Sequence, residues 1–177
     1  METFSQYRDR LLGYLGTRDP IGVQRATPAA VDRRLRGQSA RQLAKRPAPD
    51  KWSITEIVGH MADAELAMGW RLRSMLATPG VALPWWDQDR WAERLCYSTG
   101  SAREYAALFR ALRVANLRLL RAVPRAWWDE CHGVHELRGR RSVADFVVLE
   151  AAHDLDHLAQ IDRILRQAAH LRLCGRG

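Results

Sequence analysis

Apolar residues recur every three or four positions along most of the chain, which is the period of an amphipathic helix. The first stripe predicts a helix over about residues 3–16, and its apolar members are Phe4, Tyr7, Leu11 and Leu15. The pair Asp19-Pro20 interrupts this pattern. Thr27 followed by Pro28 then predicts a short helical turn, because a capping residue and a proline suit the first positions of a helix.

A capping box marks the start of a second long helix. Ser53 stands at the cap and Glu56 follows three residues later, so that each side chain can bind the other residue's backbone amide. The apolar stripe that follows predicts a helix ending near residues 78–80, where the sequence reads Thr-Pro-Gly. A brief helix is predicted over residues 88–95, beyond a loop rich in proline and tryptophan.

The same box recurs at Ser101 and Glu104 and predicts a third long helix, which Pro124 ends. Residues 125–141 show no sustained period and are predicted to be irregular. Ser142 then caps a last long helix that continues toward the C-terminus. No stretch alternates between apolar and polar residues as a half-buried strand does, so no strand is predicted.

Four long amphipathic helices predict an all-α fold, a four-helix bundle with short extra helices in the connections. The chain has 177 residues, of which 47% are hydrophobic, and this is enough for one domain over residues 1–177 with a real core. Residues 1–10 lack the pattern of a signal peptide, and no stretch has the length of a membrane span. We therefore expect a soluble, cytoplasmic protein.

The net charge of +8 raises the question of nucleic-acid binding. Almost all the basic residues are arginines, and they are scattered through every segment with acidic residues among them. No dense basic run with interleaved aromatics is present. The charge therefore favours a solvated, arginine-rich surface over a nucleic-acid groove. Arginines on the third long helix, or Arg71 and Arg73 on the second, are open alternatives as contacts to an anionic substrate.

Three histidines are the candidate metal ligands. His153 and His157 lie four residues apart on the last helix, so both imidazoles are on one face and can reach one ion. That face continues the apolar stripe, and His60 lies at the edge of the core stripe of the second long helix. Two helices would then supply three neutral nitrogens and leave coordination positions open, as catalytic sites do.

Acidic side chains near these histidines are candidates to orient the imidazoles. Ligand histidines usually donate their second N–H to a carboxylate, a carbonyl or a water. The candidates by spacing are Asp63, Glu150, Asp154 and Asp156. The HxxxH spacing alone is a weak motif, and the alternative for the aspartates is ordinary solvent-facing charge.

The paired motifs resemble the DinB-like (DinB/YfiT) superfamily of metalloenzymes. The resemblance lies in the segments Lys51–Glu65, Trp128–Val143 and His153–Ile161. It implies a four-helix bundle that holds a divalent metal ion on His60, His153 and His157, and often forms a homodimer. Family members of known activity include thiol-dependent transferases and isomerases.

The functional prediction is a divalent-metal protein with an open three-histidine site that acts on a small molecule. Metal-dependent thiol transfer or hydrolysis is the expected reaction, and the alternative is a stress-response or binding module that uses the metal structurally. Imidazole ligands suit zinc or nickel as well as iron or copper. A low-molecular-weight thiol is a candidate cosubstrate.

Two further features are candidates for the substrate pocket. Cys131, His132 and His135 form a Cys-His-x-x-His cluster that could be a second metal site, although a pocket rim or an ordinary loop is the preferred interpretation. The resemblance places His135 near the mouth of the site. Trp86 belongs to a tryptophan cluster that would either pack the core or wall the metal pocket.

Overall fold

Four long helices form the body of the protein in a computed structural model, which describes residues 4–174, with side chains described for residues 6–170. The bundle helices are α2 (Pro20–Leu35), α4 (Ile54–Ala77), α6 (Ala102–Ala122) and α8 (Val143–Cys174). The shorter helices are α1 (Phe4–Leu15), α3 (Ala40–Ala44), α5 (Gln88–Arg94) and α7 (Trp127–Glu130). The four-helix bundle predicted from the apolar stripes is therefore confirmed.

The predicted helix starts follow the predicted caps. The Ser53 hydroxyl accepts a hydrogen bond from the Glu56 amide, and the Glu56 carboxylate accepts one from the Ser53 amide. Ser142 and Asp145 bind each other's amides in the same reciprocal way at the start of α8. Each pair satisfies backbone amides that have no partner inside the helix.

The first bundle helix begins earlier than predicted. Asp19 caps α2 by accepting from the amides of Ile21 and Gly22, and Pro20 occupies the first helical turn. The turn predicted at Thr27-Pro28 is wrong, because Pro28 lies inside α2. Asp19-Pro20 suited a helix start as well as a break, and the sequence pattern did not distinguish the two.

The predicted first helix exists, but it is α1 and lies outside the bundle. Leu11 and Leu15 pack against Ala151 and Ala152 of α8. Residues 20–35 take the place in the bundle that the apolar pattern assigned to residues 3–16. The apolar stripe on α1 therefore correctly predicted that one face of this helix is buried. It did not show that the helix packs on the outside of the bundle.

A small sheet connects the helices, contrary to the expectation of no strands and an irregular segment 125–141. Strand β2 (His132–His135) pairs in parallel with β1 (Val81–Leu83) and antiparallel with β3 (Gly139–Ser142). Each strand has only three or four residues, too few for a period to stand out. A Cβ at Gly133 would lie 2.5 Å from Leu83, so this close pairing requires glycine.

The bundle core contains a fully buried arginine at the level where all four bundle helices meet. Arg113 of α6 donates to both carboxylate oxygens of Asp154 on α8, at 2.6 and 3.0 Å, and to Glu65 of α4 at 2.9 Å. It also donates to the backbone oxygen of Gln24 on α2. This arginine was an open candidate for substrate binding, and its burial among internal partners rules that role out.

None of the described helices combines the length and the apolar character that crossing a membrane requires.

Candidate metal centre

The Nε2 atoms of His60, His153 and His157 converge between α4 and α8. The Nε2 atom of His153 lies 3.0 Å from that of His60 and 2.9 Å from that of His157. The donor atoms of all three residues lie within 4.8 Å of one another. The helical spacing of four residues places the last two on one face, and α4 brings the first against them.

Burial keeps these imidazoles in their neutral form. It lowers the pKa of His60 and of His153 well below the ordinary value. The imidazole of His157 lowers the pKa of both further, and that of His60 also lowers the pKa of His153. Burial also lowers the pKa of His157, although hydrogen bonding to Gln160 acts in the opposite direction. Neutral imidazole is the form that binds a metal ion, so the site is prepared for one at neutral pH.

Gln160 selects the tautomer of His157. The Nδ1–H of His157 donates to the Oε1 atom of Gln160 over 3.0 Å, which leaves the lone pair of Nε2 facing the cluster. Sequence reasoning considered carboxylates alone and missed this amide. The available signal was its position three residues after His157, which places it on the same side of α8.

The arrangement fits a single divalent ion. Hydrogen bonds between the imidazoles cannot satisfy both short contacts, because a single proton on the His153 Nε2 atom can point to only one of its two neighbours. A shared cation would instead bind the Nε2 lone pairs of all three histidines. Metal–imidazole bonds of about 2.1 Å bring neighbouring nitrogens that share one ion to within about 3.5 Å of one another. The Nε2–Nε2 separations of 2.9 and 3.0 Å lie within that limit. Among the described residues, no further histidine, cysteine or carboxylate joins this group, so positions would remain open.

The predicted orienting carboxylates have other roles in the structure. Asp63 accepts a hydrogen bond from the Tyr97 hydroxyl over 2.6 Å, while the buried Nδ1 of His60 has no partner among the described residues. Asp63 therefore does not hold His60, contrary to the expectation from their spacing. Asp154 binds Arg113, and Asp156 binds Arg10 over 2.9 Å.

Glu150 lies one turn before His153, on the same side of α8. Burial raises the pKa of its carboxyl to about 8, and the negative charges of Glu65 and Asp154 add to this effect. The side chain is therefore largely protonated at neutral pH. Its predicted role in orienting a metal ligand stays a prediction.

Two tryptophans and a polar cavity surround the histidines. The ring of Trp52 lies 5.0 Å from the His60 ring, and the ring of Trp86 lies 5.7 Å from it. Trp86 was a predicted pocket residue, whereas Trp52 was not singled out. A cavity of about 230 Å³ opens beside His157 and is lined by Tyr7, Arg10, Asp50, Lys51, Trp52, Gln88, Asp89, Asp156 and Gln160.

The Cys131-His132-His135 cluster does not converge on a common point. His132 and His135 are three residues apart on strand β2, so their side chains point to opposite faces of the sheet. His135 is buried, and its Nδ1 accepts a hydrogen bond from the Leu137 amide. Burial and nearby arginines lower the pKa of His135 to about 4. Its predicted contact with a substrate stays a prediction.

The fold and the histidine cluster together define a helical-bundle protein with a candidate metal centre between two bundle helices. The model of the DinB superfamily matches residues 25–161, so the chain belongs to this superfamily.

Two relatives support this membership. A protein of Oceanobacillus iheyensis named "Putative metal-dependent hydrolase" is 29% identical over 122 residues, which are 68% of each chain. The solved structure of YfiT from Bacillus subtilis, described as a probable metal-dependent hydrolase with an unusual four-helix bundle topology, superposes with a TM-score of 0.79. That match covers 85% of this chain and 86% of YfiT at 20% identity, and so shows the shared fold.

Replacing Gln160 with leucine is expected to weaken metal binding about 10-fold to 100-fold, because His157 loses the acceptor that orients it. Gln160→Glu keeps an acceptor and is expected to stay within a few-fold of the wild type. Competition titration against a chromophoric chelator measures both affinities. Gln167→Leu, at an exposed position of the same helix, is the control. Equal affinities for the wild type and Gln160→Leu would show that this hydrogen bond does not prepare the site.

Proposed function

We propose that this protein is a metal-dependent hydrolase that holds one divalent ion, zinc or nickel, on His60, His153 and His157. The observation that carries the proposal is the convergence of three neutral Nε2 atoms with no fourth protein ligand among the described residues. The relatives' descriptions as metal-dependent hydrolases support the same reaction class.

A divalent ion bound there would supply Lewis acidity to a substrate or a water molecule. The surrounding residues have separate tasks. Gln160 keeps the Nε2 lone pair of His157 turned toward the centre. Trp52 and Trp86 pack around His60 and exclude water from that side. The polar cavity beside His157 is of a size that admits a small polar group of a substrate.

Thiol transfer and a purely structural metal are the competing proposals. A thiol transferase would use the same open positions, with a low-molecular-weight thiol as cosubstrate. A structural site is normally closed by a fourth protein ligand. The absence of such a ligand among the described residues favours a reactive site. The homodimer implied by the family resemblance remains a proposal that sedimentation velocity would test.

The reaction class can be tested by metal removal and return. Protein whose metal has been removed with a chelator is expected to lose its hydrolysis of an activated ester and a phosphodiester. It should regain this activity when zinc or nickel is added. His153→Ala should not regain it. Parallel assays with a low-molecular-weight thiol and an aromatic halide separate the two reactions, since turnover that requires the thiol identifies a transferase. Hydrolysis that survives chelation unchanged would contradict the proposal.

A further inference from the structure

A second, larger cavity lies beside the metal centre and is not used by the proposed reaction. This groove has a volume of about 900 Å³ and runs between α4 and α5. Its walls are mainly apolar, and its large side chains are Leu66, Trp70, Trp85, Trp86, Trp91 and Leu95. Trp70 and Trp85 are about half exposed and lie in the same apolar lining, and contiguous exposed apolar surface of this kind is typical of ligand-binding grooves.

Two arginines at the groove have guanidinium groups without a partner among the described residues. Arg90 and Arg94 are four residues apart on α5, and so they lie on one side of that helix. The acidic groove residue Asp87 is engaged in capping α5, where its carboxylate accepts from the Asp89 and Arg90 amides. The groove therefore combines aromatic walls with the guanidinium groups of two exposed arginines.

We propose that this groove binds an organic anion with a flat apolar body. The volume lies within the range of small-molecule sites, which is about 300–1,000 Å³. Indole rings stack on flat apolar groups, and guanidinium groups bind carboxylates, sulfonates or phosphates. The proposal is independent of the metal reaction, because the groove's charged residues are not those that line the cavity beside His157.

Helix α5 and Trp86 connect the groove to the metal centre. Gln88 and Asp89 line the cavity beside His157, whereas Arg90 and Arg94 line the groove. Trp86 lies 5.7 Å from the His60 ring and 4.4 Å from the Trp91 ring. An anion in the groove would therefore contact the wall of the metal site without occupying it.

A second copy of the chain is a less suitable occupant. In a two-fold symmetric interface the same patch meets itself, so the unpartnered arginines of both copies would be brought together. Like charges in a desolvated interface oppose association. A small anion neutralises those charges instead.

The test uses two probes of similar shape and different charge. Anilinonaphthalene sulfonate is an aromatic anion with a flat naphthalene body, and phenylnaphthylamine is its neutral counterpart. We expect the folded protein to bind the anion more tightly, as measured by calorimetry with and without metal. Arg90→Gln combined with Arg94→Gln should weaken anion binding about fivefold to tenfold, as expected for two exposed charge pairs, and leave the neutral probe unchanged. Trp70→Ala should weaken the binding of both probes.

The control is Arg41→Gln combined with Arg118→Gln, which makes the same charge change at exposed positions outside the groove. It should alter anion binding less than twofold. The proposal is overturned if both double variants weaken anion binding equally, since the attraction would then come from the net charge of the protein alone. It is also overturned if sedimentation velocity shows a dimer that Trp70→Ala dissociates, because the groove would then be a subunit interface.

Discussion

Replacing His153 with alanine is expected to weaken metal binding by more than about 100-fold. Loss of an outer partner of a ligand typically costs 10-fold to 100-fold, and loss of a ligand should exceed that. His153 has the central position in the cluster, since its Nε2 lies within 3.0 Å of both other Nε2 atoms. The remaining pair, His60 and His157, would offer only two nitrogens to the ion. Competition titration with a chelator of known affinity measures the change.

His170→Ala is the matched control, because it removes an exposed histidine from the same helix. It should bind metal as the wild type does, and circular dichroism should show that both variants keep their helical content. Equal affinity in His153→Ala and the wild type would mean that the ion binds elsewhere. An equal loss of metal affinity in His153→Ala and His170→Ala would point to general loss of structure rather than loss of a ligand.

Replacing Arg113 with methionine is expected to lower the free energy of unfolding by about 3–5 kcal/mol. The guanidinium is 1% exposed and binds Glu65 and Asp154, which are also buried. Methionine fills much of the volume but leaves two carboxylates buried without their countercharge. Breaking one side of a buried ion pair is costly for this reason. Urea-induced unfolding of the metal-free protein measures the difference in the free energy of unfolding.

Arg110→Met provides the comparison on the same helix. Arg110 pairs with Asp32 at the surface, where both side chains are exposed, and an exposed pair contributes at most about 1 kcal/mol. Changing Glu65 and Asp154 to leucine in the Arg113→Met background should recover part of the stability, because no unpaired charge then remains. If Arg113→Met costs no more than Arg110→Met, the buried network does not hold the bundle together.

Local signals in the sequence predicted three of the four bundle helices, α4, α6 and α8, and the candidate ligands. Capping needs only residues three apart, so Ser53 with Glu56 gave a correct helix start. The four-residue spacing of His153 and His157 likewise depends on helix geometry alone. The convergence of His60 on that pair is a tertiary fact, which the place of His60 at the edge of the core stripe suggested and the family resemblance supported.

Features that depend on packing between distant segments could not be predicted. Arg113 resembles the exposed arginines of α6 in sequence, and only the meeting of four helices buries it. Trp52 precedes α4 in the chain, and only the folded structure brings its ring to 5.0 Å from the His60 ring. Strands β1 and β2 pair segments about 50 residues apart, and none of the three strands is long enough to show its own period. The carboxylates near the histidines were plausible by spacing, but Tyr97 binds Asp63 and Arg113 binds Asp154.

The central claim is that three imidazoles hold one metal ion and leave open positions. Anomalous diffraction at the absorption edge of the ion, from crystals of protein loaded with zinc or nickel, tests it most directly. We predict one strong peak bonded to the Nε2 atoms of His60, His153 and His157 at about 2.1 Å, with no fourth protein ligand. A peak at any other site, or an ion whose coordination is completed by a protein side chain, would contradict the account.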